Sequence, residues 1–88
     1  MPTISMFYGV VVRIYCGSKE HNPPHIHAFY NNYQVVVNIN TLEIMEGTFP
    51  KRQQQLLFAW MLLHQEELKA NARLARQGEK PFQIEPLR

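Results

Sequence analysis

Eighty-eight residues with a formal net charge of +2 and 45% hydrophobic content describe one small globular domain, residues 1–88, built around a single modest core. No run of eighteen apolar residues is present, and the start Met1-Pro2-Thr3-Ile4 lacks the basic-then-apolar layout of a signal peptide, so a cytoplasmic chain with no membrane association is expected. The lone Cys16 excludes an intrachain disulfide and a Cys-rich zinc site and is expected to be a small buried hydrophobe, and the net charge is too small to mark a nucleic-acid binder by itself.

Residues 10–16 alternate, with Val10, Val12, Ile14 and Cys16 on one side and Val11, Arg13 and Tyr15 on the other, which predicts a strand. The next feature is Glu20-His21-Asn22-Pro23-Pro24-His25-Ile26-His27, which gathers three of the four histidines into seven residues around a Pro-Pro step. Proline fixes its own φ and holds the preceding residue toward extended geometry, so His25 is expected to open a strand from a stiff lead-in. Residues 25–30 and 33–39 form two strands separated by Asn31-Asn32, a pair that tolerates the positive φ of a tight turn, and residues 42–47 follow Asn40-Thr41 as another.

Pro50 opens a stretch rich in Leu, Gln, Ala, Glu and Lys that meets no Gly or Pro until Gly78, where a cap is expected, and Pro81 prevents resumption. One helix over residues 51–77 would be about 40 Å long at 1.5 Å per residue, longer than a four-stranded sheet is wide. Leu57, Met61, His64, Leu68, Ala72 and Ala75 lie on one stripe, so the second half either bends over the sheet or meets another chain. The alternating tail, residues 81–87, is expected to pack back in extended form. The expected fold is α+β: an antiparallel sheet of about four strands, then one long C-terminal helix and a short extended tail. Phe7, Tyr8 and Trp60 are expected in the core and His64 at the sheet boundary.

A two-residue turn at Asn31-Asn32 fixes the register: Tyr30 opposes Tyr33, then Phe29/Gln34, Ala28/Val35, His27/Val36, Ile26/Val37 and His25/Asn38. Ile26, Ala28, Tyr30, Tyr33, Val35, Val37 and Ile39 then share the core face. His25, His27, Phe29, Gln34, Val36 and Asn38 share the other, and a second two-residue turn would bring Glu43 beside Asn38.

Side chains on a strand repeat every two residues, so His25 and His27 can converge on one ion or one phosphate, with His21 as a third nitrogen. Three readings stand on these residues. If a metal is bound, His21, His25 and His27 are its ligands, with Glu43 or Glu20 as a further oxygen; no cofactor is otherwise assigned. Alternatively, His25, His27 and His21 are general acid and base in metal-independent RNA cleavage, with Arg13 and Lys19 for the phosphate and Tyr15 for a base. In the third, the histidines are half-exposed strand residues and Pro23-Pro24 only fixes a connection. The C-terminal half is the basic one: residues 51–80 carry Lys51, Arg52, Lys69, Arg73, Arg76 and Lys80 against Glu66, Glu67 and Glu79, with Arg73 and Arg76 expected on a solvated face.

With Met1-Pro2-Thr3-Ile4-Ser5, the Glu20–His27 motif, Glu43-Ile44-Met45-Glu46-Gly47, Ala59-Trp60, Leu63-His64 and Gly78-Glu79-Lys80-Pro81-Phe82-Gln83-Ile84-Glu85-Pro86-Leu87, the chain resembles the bacterial family of unknown function numbered four thousand one hundred and sixty. The resemblance implies a small cognate partner protein, because members are typically encoded beside another small domain and the pair is regarded as a toxin–antitoxin-like module. It supplies no catalytic residues, so the candidates rest on the residues themselves. The leading expectation is the toxin-like member of such a module, acting on RNA through the histidine cluster. The alternatives are a non-enzymatic binding or regulatory module for a partner protein or DNA, and a small histidine-based metal-binding domain; a homo-oligomer through Leu68, Ala72 and Ala75 is a further expectation. Two positions depart from the family pattern: Leu42, where Gly is usual after the Thr of the turn, and Ala72, where Trp commonly follows the Asn of the helix.

Overall fold

The computed structural model describes residues 2–15 and 23–88. Five strands, β1 (Thr3–Phe7), β2 (Val10–Arg13), β3 (His25–Tyr30), β4 (Tyr33–Asn38) and β5 (Ile44–Thr48), form one antiparallel meander in the order β1-β2-β3-β4-β5, followed by helices α1 (Lys51–Leu63) and α2 (Gln65–Arg76). The α+β class with an antiparallel sheet is as expected. The expected four strands and single helix are corrected to five and two.

The missed strand is β1. It pairs with β2 through a tight turn in which Tyr8 (φ 50) and Gly9 (φ 81) both have positive φ, as the twist of a two-residue hairpin requires. Tyr8 is therefore an exposed turn residue and not the core aromatic expected, whereas Phe7 and Trp60 are buried and their rings lie 5.2 Å apart. A register shift between Thr3 and Ser5 puts both Ile4 and Ser5 in the interior, which erases the period of two that would have marked the strand.

The β3–β4 register matches the expected one pair for pair, from Tyr30↔Tyr33 to His25↔Asn38, with Asn31 taking the positive φ at 51°. Ile26, Ala28, Val35, Val37 and Ile39 are buried on the helix-covered face. Beyond Asn38 the chain turns through Leu42, which holds a φ of 60°. Left-handed geometry costs an ordinary residue about 1–2 kcal/mol; Leu42 also packs its side chain against the core. Asn38 shapes this turn by accepting the N–H groups of Asn40 (2.8 Å) and Thr41 (3.1 Å) on its side-chain oxygen, and its own N–H reaches the Glu43 carbonyl at 2.9 Å. Strand β5 consequently begins at Ile44, and a second register shift opposite Val36 and Val37 bulges it at Met45. Gly47, at φ 85°, presses on β4 so closely that a Cβ would sit 2.0 Å from the Gln34 carbonyl oxygen.

The helix breaks at His64, whose φ and ψ of −117° and 24° leave the helical region. No Gly or Pro causes the break. Glu67, three residues on, reaches back to the His64 Nδ1 at 2.5 Å, much as the glutamate of a capping box does, and Glu66 and Glu67 favour the positive end of α2. The Gln65 side-chain amide donates to the carbonyls of Ile39 (2.8 Å) and Asn40 (3.1 Å), tying the start of α2 to the end of β4. The bend keeps α2 over the core, where Leu68 and Ala75 are buried. The uncovered stripe that motivated self-association through Leu68, Ala72 and Ala75 is thus largely filled from within the chain.

The helix ends in a paired cap around Gly78 (φ 78): Glu79 N–H donates to the Leu74 carbonyl and Gly78 N–H to that of Ala75. The tail then packs back as expected. Ile84 N–H donates to the Ile4 carbonyl at 2.8 Å, the Gln83 amide to that of Thr3 at 2.6 Å, and the Trp60 indole N–H to that of Glu85 at 2.8 Å. Asn71, fully buried, meets the Phe82 backbone twice, donating to its carbonyl at 2.8 Å and accepting its N–H at 2.9 Å. Among the described residues no helix is long and apolar enough to cross a membrane.

Two stability outcomes follow from these contacts. Asn71→Ala is expected to cost about 2–4 kcal/mol in urea unfolding, because it removes a fully buried amide and both of its part-buried hydrogen bonds to the Phe82 backbone; a loss within about 0.5 kcal/mol would mean that the tail is not held there. Gly47→Ala is expected to cost at least about 1–3 kcal/mol, combining a strained φ with a backbone clash, while the same change at Gly78, where a Cβ meets nothing, should carry only the φ penalty.

Candidate functional site

The face of the sheet opposite the helices is organised by strand register. Thr3, Arg13, His27, Val36 and Glu46 are successive cross-strand partners and form one row across all five strands. His25 lies two residues from His27 on the same strand and face, opposite Asn38, so the rings come together with centroids 5.2 Å apart. Tyr15 joins them, its ring meeting that of His27 edge-on at 4.1 Å and 86°.

The two histidines differ in chemical access. His25 Nδ1 lies 2.7 Å from the carbonyl oxygen of Pro23. A carbonyl only accepts, so Nδ1 carries the proton of the neutral ring and the lone pair sits on Nε2. This is the arrangement that orients an imidazole as a base or a ligand. The Pro-Pro lead-in makes it durable, since Pro24 is itself held by its carbonyl accepting the Ile39 N–H at 2.9 Å. Both ring nitrogens of His27, by contrast, are out of contact with solvent. Its cross-strand neighbour Val36 is buried to 7% exposure although it is on this face. The face is therefore less polar at its centre than expected, and His27 is a packed wall beside His25 rather than an equivalent reactive group.

Arg13 is the other expected residue that the fold brings to this cluster. Its Nε donates to Thr3 Oγ1 at 3.2 Å, and its guanidinium carbon stands 5.4 Å from the Phe29 ring centroid, within cation–π reach. Sequence reasoning missed the link to Thr3 because β1 was not read as a strand. Glu43 has an exposed side chain, and its carbonyl pairs with the Asn38 N–H as a two-residue turn would have placed it. His21, Lys19, Glu20 and Cys16 lie outside the described residues. Among the described residues no three His, Cys, Asp or Glu side chains are grouped to hold a metal ion. His64 sits at the helix junction against Trp60, partnered by Glu67, as a satisfied boundary histidine.

A depression of about 430 Å3 is shallow and runs along β4 and β5 past Gln34, Val36, Glu46 and Thr48; no histidine or cation of the described residues lines it. Chemistry therefore points to the His25 end of the sheet, not to this depression.

No curated protein and no solved structure matches the chain. The family model described as a domain of unknown function, DUF4160, matches residues 9–71, a span that runs from the β1–β2 turn through β2, the histidine motif, β3, β4, β5 and α1 to Asn71 in α2 and leaves out β1. With more than two thirds of its length so matched, this chain belongs to the DUF4160 family.

Proposed function

We propose that the chain is the toxin-like member of a two-component bacterial module with a small cognate partner protein, and that it acts on RNA with His25 as the general base. The observation that carries this reading is the 2.7 Å contact from His25 Nδ1 to the Pro23 carbonyl, which leaves the basic nitrogen, Nε2, with a defined direction. Neutral imidazole is suited to take the proton of a ribose 2′-hydroxyl near neutral pH. The 2′-oxygen then bonds to phosphorus, the bond to the leaving 5′-oxygen breaks, and solvent protonates that oxygen. Arg13, in the row beside the histidines, would oppose the charge that builds on the phosphate. Phe29, already under the Arg13 guanidinium, and Tyr15 offer rings against which unpaired bases can stack.

A separate observation favours the non-enzymatic reading. Leu62 and Leu63, consecutive at the end of α1, are 65% and 70% exposed. Exposed leucines of this kind suit a partner-protein surface, and a module that only docks its partner would need no reactive histidine.

His25→Ala is expected to lower cleavage of single-stranded RNA, or growth inhibition, by about 10²–10⁴-fold with the melting temperature retained. His27→Ala is expected to lower stability by about 1–3 kcal/mol through loss of a packed ring. Activity of the His25→Ala protein equal to the parent's would remove the catalytic reading and leave the docking module in front. Activity lost on chelation and restored by zinc would replace metal-free acid–base catalysis with a metal-activated water.

A further inference from the structure

The irregularity in β1 decides which side chain stands beside Arg13. Met6 opposes Val11 and Ser5 opposes Val12, so an unbroken ladder would set Ile4 opposite Arg13 on the outer face of the sheet. The register shift instead turns Ile4 into the core, where it is fully buried, and Thr3 takes the place opposite Arg13. Bulges of this kind re-aim side chains, and here a branched apolar group is exchanged for a hydroxyl. The backbone that carries this hydroxyl is then held at three successive carbonyls. That of Pro2 accepts the Ile14 N–H at 3.3 Å, that of Thr3 the Gln83 side-chain amide at 2.6 Å, and that of Ile4 the Ile84 N–H at 2.8 Å. Thr3 Oγ1 is therefore a fixed acceptor on the histidine-bearing face of the sheet.

We propose that Thr3 is a positioning residue for Arg13, holding its guanidinium so that the two terminal nitrogens form an end-on fork for an RNA backbone phosphate; this rests on the RNA reading above, in which Arg13 opposes the phosphate charge. An arginine meets an oxyanion either side-on, through Nε and one Nη, or end-on, through both Nη groups. Arg13 gives its Nε–H to Thr3 Oγ1 at 3.2 Å, so the side-on edge is occupied and the remaining N–H groups all sit on the end. The guanidinium carbon also stands over the Phe29 ring, 5.4 Å from its centroid. A planar group held at one edge and over one ring has little freedom left to lose when a phosphate arrives. The carboxylate of this row, Glu46, stands three strands away, roughly 14 Å at the spacing of paired strands, and is out of ion-pair reach of the fork.

The test is a mutant cycle read by fluorescence anisotropy with labelled 2′-O-methyl oligouridylate, which lacks the attacking hydroxyl and stays intact. The proteins are the parent, Thr3→Val, Arg13→Gln and the two changes combined. Valine keeps the shape of threonine and removes the acceptor, and melting temperatures confirm the fold of each variant. Thr3→Val is expected to weaken binding about three- to tenfold in the parent and by less than about twofold where Arg13 is already replaced, because a residue that acts only through Arg13 then has nothing to position. Thr3→Ser, which keeps an oxygen on the same backbone, is expected to recover most of the loss. In proton–nitrogen spectra the Arg13 Nε–H, assigned by its absence in Arg13→Gln, should exchange slowly with water in the parent and rapidly in Thr3→Val; the parent's signal is decisive even where Thr3→Val does not fold. Equal losses from Thr3→Val in both Arg13 backgrounds, or a rapidly exchanging Nε–H in the parent, would overturn the assignment and leave the RNA reading standing. Absence of binding by the parent would overturn both. Binding that follows the expected cycle without cleavage of unmodified RNA would uphold the role of Thr3 and remove the catalytic reading alone.

Discussion

The pairing of β3 with β4 is the constraint on which the rest depends. Side chains on a strand alternate sides, so a slip of one residue would bring His25 and His27 under the helices and expel Ile26 and Ala28, both fully buried, into solvent. The register is set locally, by Asn31 at positive φ between the opposed Tyr30 and Tyr33, and globally, by Val35, Val37 and Ile39 entering the same core. Local turn chemistry and burial agree on one answer, which is what makes the site's placement firm. The Pro23-Pro24 step then acts on a strand whose facing is already decided, and the Pro23 carbonyl needs only to orient a ring that stands on the correct side.

Covering the other face of this sheet is a problem of length. A straight helix would overshoot; the break at His64, together with the Gln65 contacts to Ile39 and Asn40, keeps the second half over the core. The tail completes the cover by running beside β1 and is held at Trp60, Asn71 and Ile84 by hydrogen bonds to its backbone. The same bend lays Lys69, Arg73 and Arg76 beside Pro24 and Asn40, so helix geometry and the histidine motif meet at one end of the molecule. At the far edge, β5 is blunted by the bulge at Met45, the exposed Glu46 and the tightly packed Gly47, devices that discourage edge-to-edge pairing.

Much of this was legible in the sequence where a period of two ran unbroken. The β3–β4 pairs, the buried face and the common side of His25 and His27 were all readable from spacing and the Asn-Asn turn. Strand β1 was not, because its bulge buries adjacent Ile4 and Ser5 and its turn uses Tyr8, an unusual residue at positive φ. The break at His64 had a signal in the His-x-x-Glu spacing, but a stretch without Gly or Pro masked it. The shielding of His27 by Tyr15 and Val36 is a tertiary effect, invisible to a face assignment that labels each residue in or out. Leu42 is the clearest case of local preference overridden: its left-handed backbone is strained, and its side chain rests against the core.

The central claim, that the Pro23 carbonyl fixes the proton of His25 on Nδ1 and turns Nε2 into the basic nitrogen, is tested most directly by long-range proton–nitrogen correlation spectra of the imidazole rings in the intact protein with the rings neutral. His25 should show a protonated Nδ1 and an unprotonated Nε2. A protonated Nε2 on His25, or rapid exchange between the two tautomers, would contradict it.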